Sequence, residues 1–236
     1  LLNKEGVRQP DFMLADLLGV SWRGETAESV TFLAPTPEGA PLLAPFSVRY
    51  PLTIKGRQMV VTIRPGARVL ATTALPYGDP QDPVRFGSAN GNPPGRLTDN
   101  PALVLNEAGR GRVLYLAGGL ERMPHDAHRT IFRRLLEALD PGPPLVRAEA
   151  PAPVEFLVFD QPARKRLLIS VFNGQDAVPP IPVHGLRLAV RLNGRRPAAP
   201  RLLPDGKDLA WNVREGYAEF ELPRLDTFLM LTLPYE

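Results

Sequence analysis

Cysteine is absent from the 236 residues, which excludes disulfides, thiolate metal sites and a cysteine nucleophile. No compartment follows from that absence. No apolar run approaches the roughly 20 residues of a membrane-spanning helix, and the first residues lack the order of a signal peptide. The chain reads as soluble, with the cytoplasm slightly favoured and no membrane partner expected. Lysine occurs only four times and histidine three times. The 24 arginines raise the pI to about 9.4, but they are spread along the chain instead of gathered into a stripe with stacking aromatics. A nucleic-acid partner is therefore not expected.

What is present points to a folded, β-rich chain. Hydrophobic residues make up 44%, enough for a core that offsets chain entropy, and the length suits two domains. The 28 prolines and 20 glycines cluster between apolar runs, as expected of short elements joined by turns. The sequence opens at Leu1-Leu2-Asn3 without an initiator methionine, so a piece of a longer protein is expected.

Residues 10–20 place Met13, Leu14, Leu17 and Leu18 on one helical face, with Pro10 suited to a helix start and Gly19 to its end. That predicts a short amphipathic helix with a buried side. Runs at 30–33, 48–50, 59–63 and 68–72 read as strands. Residues 76–101 are turn-rich and poor in apolar groups, which predicts a long surface loop of functional or interface character. Gly109-Arg110-Gly111-Arg112 leads into an apolar run at 113–117, then Gly118-Gly119, then a helix ending near Asp140. Strand, glycine turn and sheet-packed helix in that order predict an α/β layer. Pro141-Gly142-Pro143-Pro144 and a stiff stretch at 149–153 mark the boundary. Runs at 154–159, 166–172, 186–192, 200–203, 217–222 and 227–233 then predict a small antiparallel sandwich, with 167–172 as its central strand.

Little in this pattern carries chemistry. His125 and His128 stand three apart with Asp126 between them, but a zinc site wants three or four ligands and no third is evident. A helix start with an acid in its first turn is the plainer reading. The Gly118-Gly119 pair fits a tight turn whatever the function. The acids fall mostly in turns, where capping or solvation accounts for them. No catalytic residue, metal ligand or cofactor is assigned. A nucleophile elbow of the form Gly-x-Ser-x-Gly is absent, which leaves an independent hydrolase with little support.

An ordered set of motifs remains: Asp11-Phe12-Met13-Leu14-Ala15-Asp16-Leu17-Leu18-Gly19-Val20, Asn92-Pro93-Pro94, Asn100-Pro101-Ala102, and the strand that follows Gly109-Arg110-Gly111-Arg112. In order and spacing they resemble the carboxy-terminal portion of β-galactosidase-like glycoside hydrolases that carry a trimerisation domain. The resemblance implies a fold of two parts. Residues 1–145 would form an α/β domain, a partial flavodoxin-like or class I glutamine-amidotransferase-like layer lacking its first strands, and 150–236 a β-sandwich. It also implies a non-catalytic accessory and oligomerisation role, with the catalytic TIM barrel outside this chain. The expected partners are other copies of the chain, as a trimer, and the parent protein's barrel, with a glycan as a further partner. Asn90, Asn92, His125, Asp126 and His128 are the positions expected at an interface or a substrate channel. The alternative is a sandwich that binds glycans itself, stacking sugar rings on Trp211 and Tyr217.

Overall fold

Alternating burial along short segments is the dominant pattern of this chain, and almost all of its regular structure is antiparallel sheet. The computed structural model describes all residues except Pro80, Phe86, Ser88, Ala89, Asn90 and Ala177. The chain divides into two units, Leu1–Gly142 and Pro143–Glu236.

The first unit runs α1 (Ala15–Leu18), β1 (Val20–Glu25), β2 (Val30–Pro35), α2 (Ala40–Leu43), β3 (Leu52–Lys55), β4 (Met59–Ile63), β5 (Arg68–Pro76), β6 (Pro94–Ala108), β7 (Gly111–Leu116) and α3 (Asp126–Leu139). Five strands form one sheet in the order β3-β2-β5-β6-β7, and β1 and β4 pair separately. Strand β3 shows the cause plainly: Leu52 and Ile54 turn inward and the residues after each turn outward, the period-two signature of a half-buried strand. Helix α3 adds Ile131 and Leu135 to the core of Leu33, Leu52, Ile54 and Leu103, each worth about 2 kcal/mol of burial. Its outer side carries the Arg133–Glu137 pair at 3.6 Å.

The α/β layer predicted for residues 1–145 is not what forms. The strand–glycine–helix order at 109–140 is present, but every pairing in the sheet is antiparallel. A flavodoxin-like or amidotransferase-like layer needs a parallel strand to follow the helix. Here α3 is followed by the proline-rich turn and by strands of the second unit. The local motif was read correctly and its continuation was not, because partner choice in a sheet is non-local.

Three local expectations also change. The helix at 10–20 shrinks to the single turn of α1, with Met13, Leu14 and Leu17 exposed and only Ala15 of that turn buried. The run at 48–50 is not a strand; the chain pairs four residues later, as β3. The long loop is shorter than its turn formers suggested, since β6 begins at Pro94 and carries Pro101 opposite Thr72. Register shifts between β5 and β6 absorb the prolines there, as bulges do where a ladder bond is missing.

The second unit is a sandwich of two four-stranded sheets. It runs β8 (Val146–Glu149), β9 (Val154–Gln161), β10 (Arg166–Asn173), β11 (Val183–Arg191), β12 (Arg201–Leu203), β13 (Trp211–Arg214), β14 (Tyr217–Leu225) and β15 (Phe228–Pro234). The sheet orders are β12-β15-β10-β9 and β13-β14-β11-β8. Ile169, Val171, Leu231 and Leu233 from one sheet meet Leu186, Leu188, Phe220 and Leu222 from the other, the facing inner rows of an aligned sandwich. Strand β10 lies inside its sheet, between β15 and β9.

Candidate functional site

The segment joining β5 to β6, residues 77–93, is anchored by charge. One guanidinium nitrogen of Arg96 donates to the carboxylate of Glu28, which is buried, at 3.2 Å and stands 3.1 Å from the carboxylate of Asp79 as an ion pair. Asp79 also meets Arg85 at 3.2 Å, and Arg85 meets Asp82 at 2.9 Å. The chain of charges thus runs Glu28, Arg96, Asp79, Arg85, Asp82. Donation from the Arg85 side chain, with the backbone N–H of Val84, holds the Asp82 carboxyl below its ordinary range, and the same bond raises Arg85. Local sequence builds the outer half, since Asp79 and Asp82 each accept a backbone N–H two residues on, as turn-forming aspartates do. The inner half is a long-range contact, with Glu28 and Arg96 68 residues apart.

Beside this cluster lies a cavity of about 210 Å³ lined by residues that include Glu28, Asp79, Arg85 and Asn92. Asn92 accepts the N–H of Gly78 at 2.7 Å, and its side chain lies so close to Gly87 that a β-carbon there would come within 2.7 Å of it. Asn92 thereby ties the end of the segment to its start. Two carboxylates in one cavity raise the question of glycosidase chemistry, which sets an acid and a second carboxylate about 5–9 Å apart across the scissile bond. Here the Arg96 guanidinium occupies the space between them. The arrangement pairs both acids with one guanidinium and clamps a loop.

The other predicted site residues fall elsewhere. Asn90 lies outside the described residues. His125 is exposed and starts α3 with extended backbone geometry but no side-chain cap, while Asp126 is fully exposed, 3.8 Å from Arg129. His128 is buried, its Nε2 2.7 Å from the carbonyl of Thr53. A carbonyl only accepts, so Nε2 donates, and Nδ1 has no hydrogen-bond partner among the described residues. The His125 and His128 rings stand 5.6 Å apart, but among the described residues no group of three His, Asp or Glu side chains could hold a metal. No hydrogen bond or ion pair among the described residues joins this pair to Asn92. Sequence reasoning named Asn92 only as an interface or channel position, and it singled out none of Glu28, Asp79 and Arg96. The acid–base alternation of residues 79–85 was the one local signal; Glu28 had none.

The sandwich has its own hollow, about 630 Å³, on the outer face of β13-β14-β11-β8, lined among others by Arg147, Glu149, Arg187, Asn212 and Glu219. Of the two aromatics proposed for sugar stacking, Trp211 is among the residues that line it, half-buried and packed on the core beside its cross-strand partner Phe220. Tyr217 is buried under the Arg147 guanidinium, 4.1 Å from its ring centre, and donates its hydroxyl to the carbonyl of Pro144.

Both units taken together match one region of a solved enzyme. The fold is similar to that of a fucosidase. Alpha-L-fucosidase isoenzyme 2 from Paenibacillus thiaminolyticus aligns over 93% of this chain with a TM-score of 0.61 and 16% identity. The chain spans about a third of that protein, 34% of its length. A cycloisomaltooligosaccharide glucanotransferase from Paenibacillus sp. aligns over 45% of this chain and 20% of its own at 15% identity, with a TM-score of 0.26 that carries no argument. No family model matches the sequence, and neither does any curated protein. At 16% identity the likeness to the fucosidase is one of fold. Among the described residues no helix is long and apolar enough to cross a membrane.

Proposed function

We propose that this chain is a non-catalytic accessory region of a glycoside hydrolase, serving assembly and the walls of a neighbouring active site, with the catalytic domain supplied elsewhere in the parent protein. One observation carries the reading: 93% of the chain follows the fold of about a third of a fucosidase. A region that matches so much of itself and so little of an enzyme supports an accessory role. The charged anchor at Glu28, Asp79 and Arg96 agrees with it, because it fixes a surface segment instead of exposing free acids. Assembly of identical copies belongs to the same proposal. The test is hydrolysis of aryl fucosides and aryl galactosides by the purified 236-residue chain, with mass measured by light scattering on the same sample. An inactive oligomer is expected, and turnover that survives purification to constant specific activity would overturn the reading.

A second reading rests on the hollow over β11 and β14, where guanidinium and carboxylate groups alternate, the kind of side chain that forms paired hydrogen bonds with vicinal hydroxyls. Trp211 is the aromatic that lines the same hollow. Calorimetric titration of soluble glycans against the chain checks it: heat abolished by Arg187→Ala supports the site, and absence of heat at millimolar sugar removes it.

A further inference from the structure

The two outer faces of the sandwich differ in kind. The face of β13-β14-β11-β8 is a lattice of charges, with Arg187 3.3 Å from Glu149 and Arg214 3.2 Å from Glu219. The opposite face, that of β12-β15-β10-β9, is apolar where solvent-facing strands normally alternate to polar residues. The register fixes its layout. Phe159 lies beside Leu168, Leu157 and Met230 flank Ser170, and Phe172 lies beside Phe228. Leu203 extends the patch from β12, opposite Met230. Leu157, Phe159, Phe172 and Phe228 are 56, 53, 42 and 55% exposed.

A large aromatic side chain can bury 150–250 Å², so the half-exposed rings and leucines together offer on the order of 500 Å² of continuous apolar surface. That reaches the upper end of what monomers show, about 300–600 Å². It also amounts to most of the roughly 800 Å² per partner of a standard interface. Charges stand at its two ends. Glu155 lies beside Phe172 at one end and Arg166 beside Gln161 at the other. Among the described residues neither Glu155 nor Arg166 forms an ion pair; Arg166 only donates to Gln161, at 2.7 Å.

We infer that this face pairs with the same face of a second copy of the chain, through a two-fold axis lying in the interface across the strands. That operation superposes the apolar centre on itself and reverses strand direction, so Glu155 of each copy meets the Gln161–Arg166 end of the other. An isologous contact of this kind needs a self-complementary patch, and opposite charges at opposite ends of an apolar centre supply one. The alternative two-fold axis, along the strands, would gather the two Glu155-bearing ends at one end of the interface and the two Arg166-bearing ends at the other. The inference gives the assembly part of the proposed function a surface, and it is compatible with assembly about another axis elsewhere.

The test is sedimentation equilibrium of the full chain, wild type beside Phe159→Asp/Phe228→Asp and the charge variants Glu155→Lys and Glu155→Lys/Arg166→Glu. Both phenylalanines are exposed, so folding is checked by an unchanged melting temperature. The aspartate pair is expected to weaken dimerisation by about a hundred-fold or more, because each substitution occurs twice in an interface centre. Glu155→Lys weakens it about ten-fold, and adding Arg166→Glu restores it, a reciprocal rescue that only a contact between the two ends produces. A wild-type monomer at all concentrations overturns both this contact and the assembly reading. An oligomer unchanged by the aspartate pair overturns this contact alone and leaves assembly to another surface.

Discussion

Arg96 is the position where the anchor of the 77–93 segment can be broken with one change. Its guanidinium serves Glu28 and Asp79 together, and Arg96→Met keeps the length of the stem while removing the charge. Asp79 retains Arg85 at 3.2 Å; Glu28 has no other cation within ion-pair distance among the described residues and is left buried beside a second carboxylate. Removing one partner of a fully buried pair costs about 3–5 kcal/mol. The Arg96 side chain is 39% exposed while that of Glu28 is 7% exposed, so water screens part of the interaction, and about 2–3 kcal/mol is expected, between the buried and surface limits. Arg96→Lys keeps the positive charge but not the rigid planar guanidinium that carries it between the two acids, and about half of that loss is expected. Adding Glu28→Gln to Arg96→Met removes the stranded charge and recovers at least about 1 kcal/mol. Urea unfolding at pH 7 measures all four proteins from the shift in midpoint at constant slope. Limited proteolysis supplies a local readout, with faster cleavage within residues 77–93 in Arg96→Met. A loss below about 0.5 kcal/mol, the scale of an ordinary surface pair, with unchanged cleavage would refute the idea that this cluster holds the segment.

Three further perturbations test the first unit. Tyr115 is buried, its hydroxyl has no hydrogen-bond partner among the described residues, and burial pushes its pKa up to about 12. Tyr115→Phe is expected to leave stability unchanged or raise it by up to about 1 kcal/mol, while a loss above that in thermal unfolding would show that the hydroxyl is satisfied. Because the folded value lies above the unfolded one, the tyrosine's contribution is complete below about pH 10 and fades as pH rises toward 12; phenolate absorbance at 295 nm follows it. A β-carbon on Gly39 would stand 1.8 Å from the carbonyl oxygen of Leu70, so Gly39→Ala must push α2 off β5 and cost about 3 kcal/mol in urea unfolding. Asp11 is destabilised as an anion by burial, but the N–H groups of Trp22 and Phe12, the Ser21 hydroxyl and the Arg64 charge outweigh that and lower its pKa. A lowered carboxylate stabilises the fold above its unfolded pKa. The stability difference between wild type and Asp11→Asn should therefore persist at pH 7 and shrink below about pH 4, in urea midpoints taken across that range.

Short-range physical chemistry decided much of what the residues alone could tell. Alternation along β3 and β10 is a period-two signal that survives in any context. The face of α3 is readable from Ile131, Leu135 and the charges opposite them. Gly19 ends α1 in a left-handed conformation, φ 72°, as the residue type suggested, and a side chain there would also strike Asn106 and Ala67. The apolar positions 157, 159, 168, 172 and 228 were already in the sequence, but inward and outward rows cannot be told apart until strands pair. Register in the ladder set which row faces the core and left the other one bare.

Tertiary structure alone decided the rest, because it depends on which distant segments meet. β7 pairs with β6 through the tight turn at Gly109-Arg110, but the pairing of β5 with β2 and β6 is written in no local window; a β–turn–helix motif is common to parallel and antiparallel folds until those pairings are known. Exposure of Met13, Leu14 and Leu17 reversed a helix expected to be buried, since amphipathicity reports a potential face and only packing supplies its cover. Glu28, Asp79 and Arg96 share no motif and no spacing. Their proximity comes from the sheet that sets the end of β5 beside the start of β6, and electrostatics then joins three charges that the chain keeps far apart.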